Sequence, residues 1–161
     1  MNRKEGIRKM AEAYYQMLTA LKPAIKKNPD IKAGLKEGLG KFLSNLYISY
    51  FGKKNTDYYS EAAYKIKDDK NAKLVFEHIV PKARYIQEPC YEASIKGHFE
   101  DGKEFSVESI EGLLNKYWKI ATVTKEENEK LNKYRTKMPE GWKPGDDPFA
   151  RYDAVGIKFH K

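Results

Sequence analysis

The stretch Lys73-Leu74-Val75-Phe76-Glu77-His78-Ile79-Val80-Pro81 separates two kinds of pattern in this chain. Before it, apolar residues return every three or four positions, as in helices that bury one face. Within it the apolar residues are consecutive and β-prone, so a strand is expected to run into Glu77-His78. Proline at 81 has no N–H to give to a ladder and closes the strand. A strand ending this way presents a carboxylate oxygen and an imidazole side by side.

Upstream, Ile7, Met10, Ala11, Tyr14, Met17, Leu18, Leu21 and Ile25 form the stripe of an amphipathic helix. Pro23 is expected to kink or end it, with Lys26-Lys27-Asn28-Pro29 as the turn. Asp30 is the expected cap of a second helix, which carries Leu35, Leu39, Phe42, Leu43, Leu46, Tyr47 and Tyr50 on one face and ends near Gly52. The two make a helical hairpin, in which Gly34 and Gly38 are candidates for a close approach. Asn55-Thr56-Asp57 reads as a loop and cap before a shorter helix through Ala62, Ala63 and Ile66.

Downstream, residues 83–95 have a helical pattern, and Ser106 caps a helix with Ile110, Leu113, Leu114 and Tyr117 inward. Residues 118–123 read as a second strand. Thr124-Lys125-Glu126-Glu127 is a capping box, with a side-chain oxygen at the cap and a carboxylate three residues on, and it opens a helix through Leu131. In the turn-rich tail, Asp147 followed by Pro148 predicts a short helix to about Val155 that Gly156 stops, then a last strand at 157–159.

A chain of 161 residues, 40% hydrophobic and 13% aromatic, is long and apolar enough for one domain with a real core, which excludes disorder. The single cysteine, Cys90, excludes an internal disulfide and a Cys-rich structural zinc site, so no structural zinc is expected. No apolar run approaches the ~18 residues of a membrane span. A soluble, unprocessed, cytoplasmic protein is expected, with no membrane partner.

The net charge of +8 is unevenly spread: residues 1–70 hold 15 Lys/Arg against 8 Asp/Glu, residues 71–161 hold 16 against 15. Concentrated positive charge is the footprint of a polyanion binder, because each phosphate neutralised releases counterions. Arg3, Lys4, Arg8, Lys9, Lys22, Lys26 and Lys27 form a basic strip on the first helix and its turn, suited to phosphate contact without sequence information. The alternative is a solvated Lys-rich face. Most of the twelve tyrosines fall on inward faces; Tyr58, Tyr59 and Tyr85 are the better candidates for nucleic-acid contact.

The order of a strand ending in Glu77-His78-Ile79-Val80-Pro81, a strand at 118–123 and a helix from Thr124 resembles the HNH (ββα-metal) nucleases over about residues 73–134. In that family, which includes the HNH domain of RNA-guided CRISPR nucleases, the first strand ends Asp/Glu-His-Ile/Val-x-Pro and the terminal helix gives an Asn, Asp or His to a metal. The resemblance implies an α+β fold: a basic α-helical region over 1–71, hairpin or bundle, then an HNH-like region over 72–161 with an inserted helix. The spacer from Lys82 to Tyr117 is longer than in compact HNH domains, and no Cys-x-x-Cys pair is present.

Phosphodiester hydrolysis needs a base for the water proton and positive charge near the leaving oxygen. By the resemblance, His78 is the base, and Glu77 and Asn128 offer oxygens to one Mg²⁺ or Mn²⁺, with Glu127 a reserve ligand. Lys82 and Arg84 hold a phosphate. The implied activity is a metal-dependent endonuclease, with DNA favoured over RNA and a homodimer as one way to cut both strands. Two rivals remain open. One is a nucleic-acid-binding or phage/host defence-related protein without turnover. The other is a helical interaction module for an acidic protein, in which His78 is an ordinary partly buried histidine and Glu126 and Glu127 serve the helix end.

Overall fold

The computed structural model describes all of residues 1–161. The fold is mixed α+β, divided into two compact units, each assembled from two separate stretches: residues 1–53 with 86–115, and 54–85 with 116–161. The expected division near residue 71 therefore does not coincide with the units. Residues 54–71 belong with the sheet, and residues 86–115, expected as an insert of the sheet region, belong with the N-terminal helices.

In the first unit, helix α1 (Arg3–Lys27) packs against α3 (Lys36–Phe51) and α5 (Glu88–Lys96). The stripe read from sequence is its buried face, with Ile7, Met10, Ala11, Tyr14 and Leu18 enclosed beside Leu43, Cys90 and Ala93. Pro23 lies inside α1 rather than ending it. Its residue and Thr19, whose carbonyl loses an N–H partner, are both exposed, so water can solvate the unpaired oxygen. The expected second helix is two: α2 (Asp30–Gly34) and α3, interrupted at Leu35. Asp30 is not a cap; its own N–H donates to Asn28 Oδ1 at 3.2 Å. A Cβ at Gly34 or Gly38 would meet nothing, whereas one at Gly6 would lie 2.1 Å from the Phe51 ring, so the close approach is at Gly6.

In the second unit, a three-stranded sheet has the order β1 (Tyr58–Tyr59), β3 (Ile120–Thr124), β2 (Leu74–His78), with β1 parallel and β2 antiparallel to β3. Residues 58–59, which the sequence reading placed between the 55–57 loop and cap and the helix through Ala62, form the two-residue β1; Asp57 just before it accepts the Ile120 N–H at 2.9 Å. Ser60 caps α4 (Glu61–Ile66). A π-helical turn (Ala83–Gln87) leads into α5, and α6 (Val107–Tyr117) leads back to the sheet.

The capping box forms as read: Thr124 Oγ1 accepts from Glu127 N, and Glu127 accepts from Thr124 N. It starts α7 (Lys125–Leu131), which packs on β2 and β3. Leu131 joins Ile79, Ala121, Val123, Tyr152 and Ile157 in one apolar cluster. The last helix, α8 (Ala150–Ala154), starts later than predicted because Asp147 holds a turn, accepting from Phe149 N at 2.9 Å. The expected strand at 157–159 is reduced to one bridge between Phe159 and Ser60.

Candidate functional site

The register of β2 on β3 pairs Glu77 with Ala121 and His78 with Ile120. Side chains alternate along a strand, so Glu77 shares the face of Val75, Ile79, Ala121 and Val123, the face that α7 covers. Asn128 and Glu127 lie three and four residues before the buried Leu131 and flank the same side of α7. His78 points to the opposite face, where its ring meets the edge of Trp118 at 4.7 Å. The fold thus brings Glu77, Glu127 and Asn128 to one side of the sheet and His78 to the other.

The two carboxylates have partners within the fold. Glu77 Oε1 accepts from Arg151 Nη2 at 2.9 Å. Arg151 is fully buried, and its guanidinium also donates to the carbonyls of Ile79 at 3.1 Å, Tyr134 at 2.7 Å and His78. A carboxylate and three carbonyls thus answer four of the five N–H groups of this buried cation. Glu127 Oε2 accepts from Thr124 N at 2.9 Å and from the Ser60 hydroxyl. Asn128 is half-buried.

His78 is partly exposed as a residue, but its Nδ1 is enclosed without a hydrogen-bond partner. Burial, and then the nearby charges of Lys82 and Arg151, push its pKa down to about 3. An imidazole so reluctant to take a proton is neutral at pH 7 and a weak general base. No group of three or more His, Cys, Asp and Glu side chains stands close enough to hold a metal ion. Elsewhere, burial lifts the Cys90 thiol to about 12, so it has no nucleophilic character at neutral pH.

The basic strip of α1 is partly neutralised within its own unit. Arg8 bonds Glu12 at 3.0 Å, Glu111 at 2.9 Å and Glu108 at 3.3 Å, and these carboxylates raise its pKa further. Lys9 pairs with Glu5 at 3.5 Å. Residues 86–115 hold 2 Lys/Arg against 7 Asp/Glu, so the first unit as a whole has 13 against 11. Arg3 is partly buried, while Lys4, Lys22, Lys26 and Lys27 are exposed. The last two sit in the final turn, where cations complement the helix dipole.

The second unit carries the excess, 18 Lys/Arg against 12 Asp/Glu. No protein-family model, no curated protein and no solved structure matches this chain. Between Lys130 and Lys137, the cations Lys130, Lys133, Arg135 and Lys137 are all exposed, with no acidic residue among them. Tyr134 O accepts from Arg151 of α8 at 2.7 Å, and Met138 N, one residue past the run, donates to Tyr85 Oη in the loop after β2 at 2.9 Å. That loop carries Lys82, half-buried with its ammonium pKa lowered by desolvation, and the exposed Arg84, which lies over the Tyr85 ring at 5.9 Å. Of the other tyrosine candidates, Tyr58 packs on Phe149 and Phe159.

Sequence reasoning missed Arg151 and the 130–137 run. Arg151 carries no local signal, since its partners lie up to 74 residues away. The run had a signal: four cations in eight residues with no acid.

Proposed function

We propose that this chain binds nucleic acid through the basic face of its second unit, and that the Glu77-His78 segment serves the fold rather than hydrolysis. The exposed, acid-free run from Lys130 to Lys137 carries the reading, because unneutralised surface cations are what phosphates recruit. Arg84 extends the same basic face. No helix is long and apolar enough to cross a membrane. For the sheet, support comes from Arg151, which ties Glu77 to three backbone carbonyls around the β2 exit.

One observation favours a second reading. The antiparallel β2/β3 pair followed by a capped helix packed on it has the element order of the ββα nucleases that the sequence resembles. In that reading, a rearranged site uses His78 as base and Glu77 with Asn128 on Mg²⁺ or Mn²⁺. Incubating the protein with supercoiled plasmid and single-stranded RNA, with Mg²⁺, Mn²⁺ or EDTA, separates the two. Salt-sensitive binding without cutting supports the first reading. Metal-dependent cutting that disappears in His78→Ala supports the second, and the absence of both binding and cutting overturns both.

A further inference from the structure

Beside the basic run stands a tryptophan that the core does not absorb. Trp142 is half-buried on the loop 138–147 and packs edge-on against Tyr85, at 5.1 Å and 77°, and against Tyr117, at 6.0 Å and 61°. All three polar tips are anchored to that loop. Tyr85 Oη accepts from Met138 N at 2.9 Å, Tyr117 Oη accepts from Gly145 N at 2.9 Å, and Trp142 Nε1 donates to Asp147 O at 2.8 Å. The indole is held in place by the loop's two ends before any ligand arrives.

Cations surround the group. Arg84 lies over Tyr85, Lys116 lies over Tyr117 at 5.2 Å, and Lys143 follows Trp142 directly; all three are exposed. Two of the loop's acids bond its own backbone: Asp146 Oδ2 accepts from Lys143 N at 2.8 Å and Asp147 Oδ1 from Phe149 N at 2.9 Å; both, like Glu140, are exposed.

Resting on the nucleic-acid reading above, we propose that Trp142, braced by Tyr85 and Tyr117, is a stacking platform for a base of single-stranded nucleic acid, with Arg84, Lys116 and Lys143 on the flanking phosphates. Single strands are favoured over duplex because every unpaired base offers a π-face, whereas in a duplex those faces are stacked on each other. Such a platform tolerates any sequence, and DNA and RNA strands share the chemistry it uses.

The test is anisotropy at low salt with fluorescein-labelled oligo-dT, oligo-U and a duplex of equal length, for the wild type, Trp142→Ala and Trp142→Phe. Trp142→Ala is expected to weaken single-strand binding about tenfold, on dT, U or both, and duplex binding much less, while Trp142→Phe keeps most of the affinity. Unmodified protein gives a second readout that no folding defect can disturb. Trp118 is fully buried, so quenching of tryptophan emission by oligo-dT reports Trp142. Unchanged single-strand affinity in a folded Trp142→Ala, or strand binding without quenching, overturns the platform and leaves the binding proposal standing. No binding to strand or duplex overturns both.

Discussion

Arg151 and Glu77 meet at 2.9 Å across 74 residues of chain, with the guanidinium wholly shielded from solvent and the carboxylate side chain 26% exposed. One cation thereby holds α8 to the exit of β2. Arg151→Ala strands three carbonyls and a carboxylate at once, so the loss of stability is expected to be about 3–5 kcal/mol by urea unfolding. Glu77→Gln keeps an oxygen acceptor and stays closer to water, so it is expected to lose less. If the segment is structural, folded Glu77→Gln binds nucleic acid as the wild type does. A larger loss for Glu77→Gln than for Arg151→Ala would contradict this ordering.

His78 makes the fold sensitive to mild acid. Its folded pKa of about 3 lies below the ordinary value of 6.5, so between these values the unfolded chain binds a proton that the folded chain refuses. The neutral ring's contribution is complete above about pH 6.5 and falls as pH drops toward 3, at up to about 1.4 kcal/mol per pH unit. Between pH 7 and 5, before most carboxylates titrate, stability should decline in the wild type and much less in His78→Phe, whose ring can still face Trp118. Parallel pH curves for the two proteins would remove His78 as the source.

What the sequence revealed and what it hid divide along the range of the interactions involved. The α1 stripe, the strand into Glu77-His78 and the Thr124/Glu127 box rest on periodicity or on partners within a turn, and they formed as read, while the second strand, expected over 118–123, runs Ile120–Thr124. Arg8 illustrates what stayed hidden: its bonds to Glu108 and Glu111 span 100 and 103 residues, within a unit whose segment 86–115 brings 7 acids against 2 cations and so offsets the basic N-terminal stretch. For the Glu77-His78 pair the residues were legible, but their faces were not. Only the strand register decides that adjacent side chains oppose each other, and that register depends on β3.

Ser60 links two helix starts. Its hydroxyl oxygen accepts the Ala63 N–H at 3.0 Å, capping α4, and its proton goes to Glu127, which caps α7. The residue is fully buried, so Ser60→Ala loses a cap and leaves a carboxylate oxygen short of a donor. The expected cost is about 1–2 kcal/mol in urea melts. Ser60→Gly also lacks the hydroxyl but glycine is tolerated at a helix cap, so it should lose less than Ser60→Ala; an unchanged melt for Ser60→Ala would remove the hydroxyl as a link between the two helix starts.

Gly6 contributes by what it lacks. An added Cβ would come within 2.1 Å of Phe51 Cζ, and Phe51 packs on Tyr47 at 4.8 Å between ring centroids. Alanine gains about 1 kcal/mol of helix propensity over glycine, yet here the ring must swing off its neighbours, an overpacking cost of about 1–3 kcal/mol. Gly6→Ala is therefore expected to be neutral to destabilising, and Gly6→Ala with Phe51→Leu to recover stability. A clear gain from Gly6→Ala alone would mean the ring moves freely.

The placement of charge gives the sharpest contrast between the expectation from sequence and the folded protein. The N-terminal half looked basic, but its unit balances 13 cations with 11 acids, whereas the second unit holds 18 against 12 and displays Lys133 and Arg135 in an acid-free exposed run. Each phosphate contact contributes about 0.7 to the slope of log affinity against log salt for single strands. Lys133→Glu with Arg135→Glu removes two such contacts, so the slope should fall by about 1.4, with a large loss of affinity at low salt. Lys26→Glu with Lys27→Glu makes the same change of net charge at the end of α1, where the cations serve the helix dipole. That pair should lower affinity modestly through the overall field and leave the slope nearly unchanged. Equal effects of the two pairs would mean that net charge, and not this face, recruits the nucleic acid.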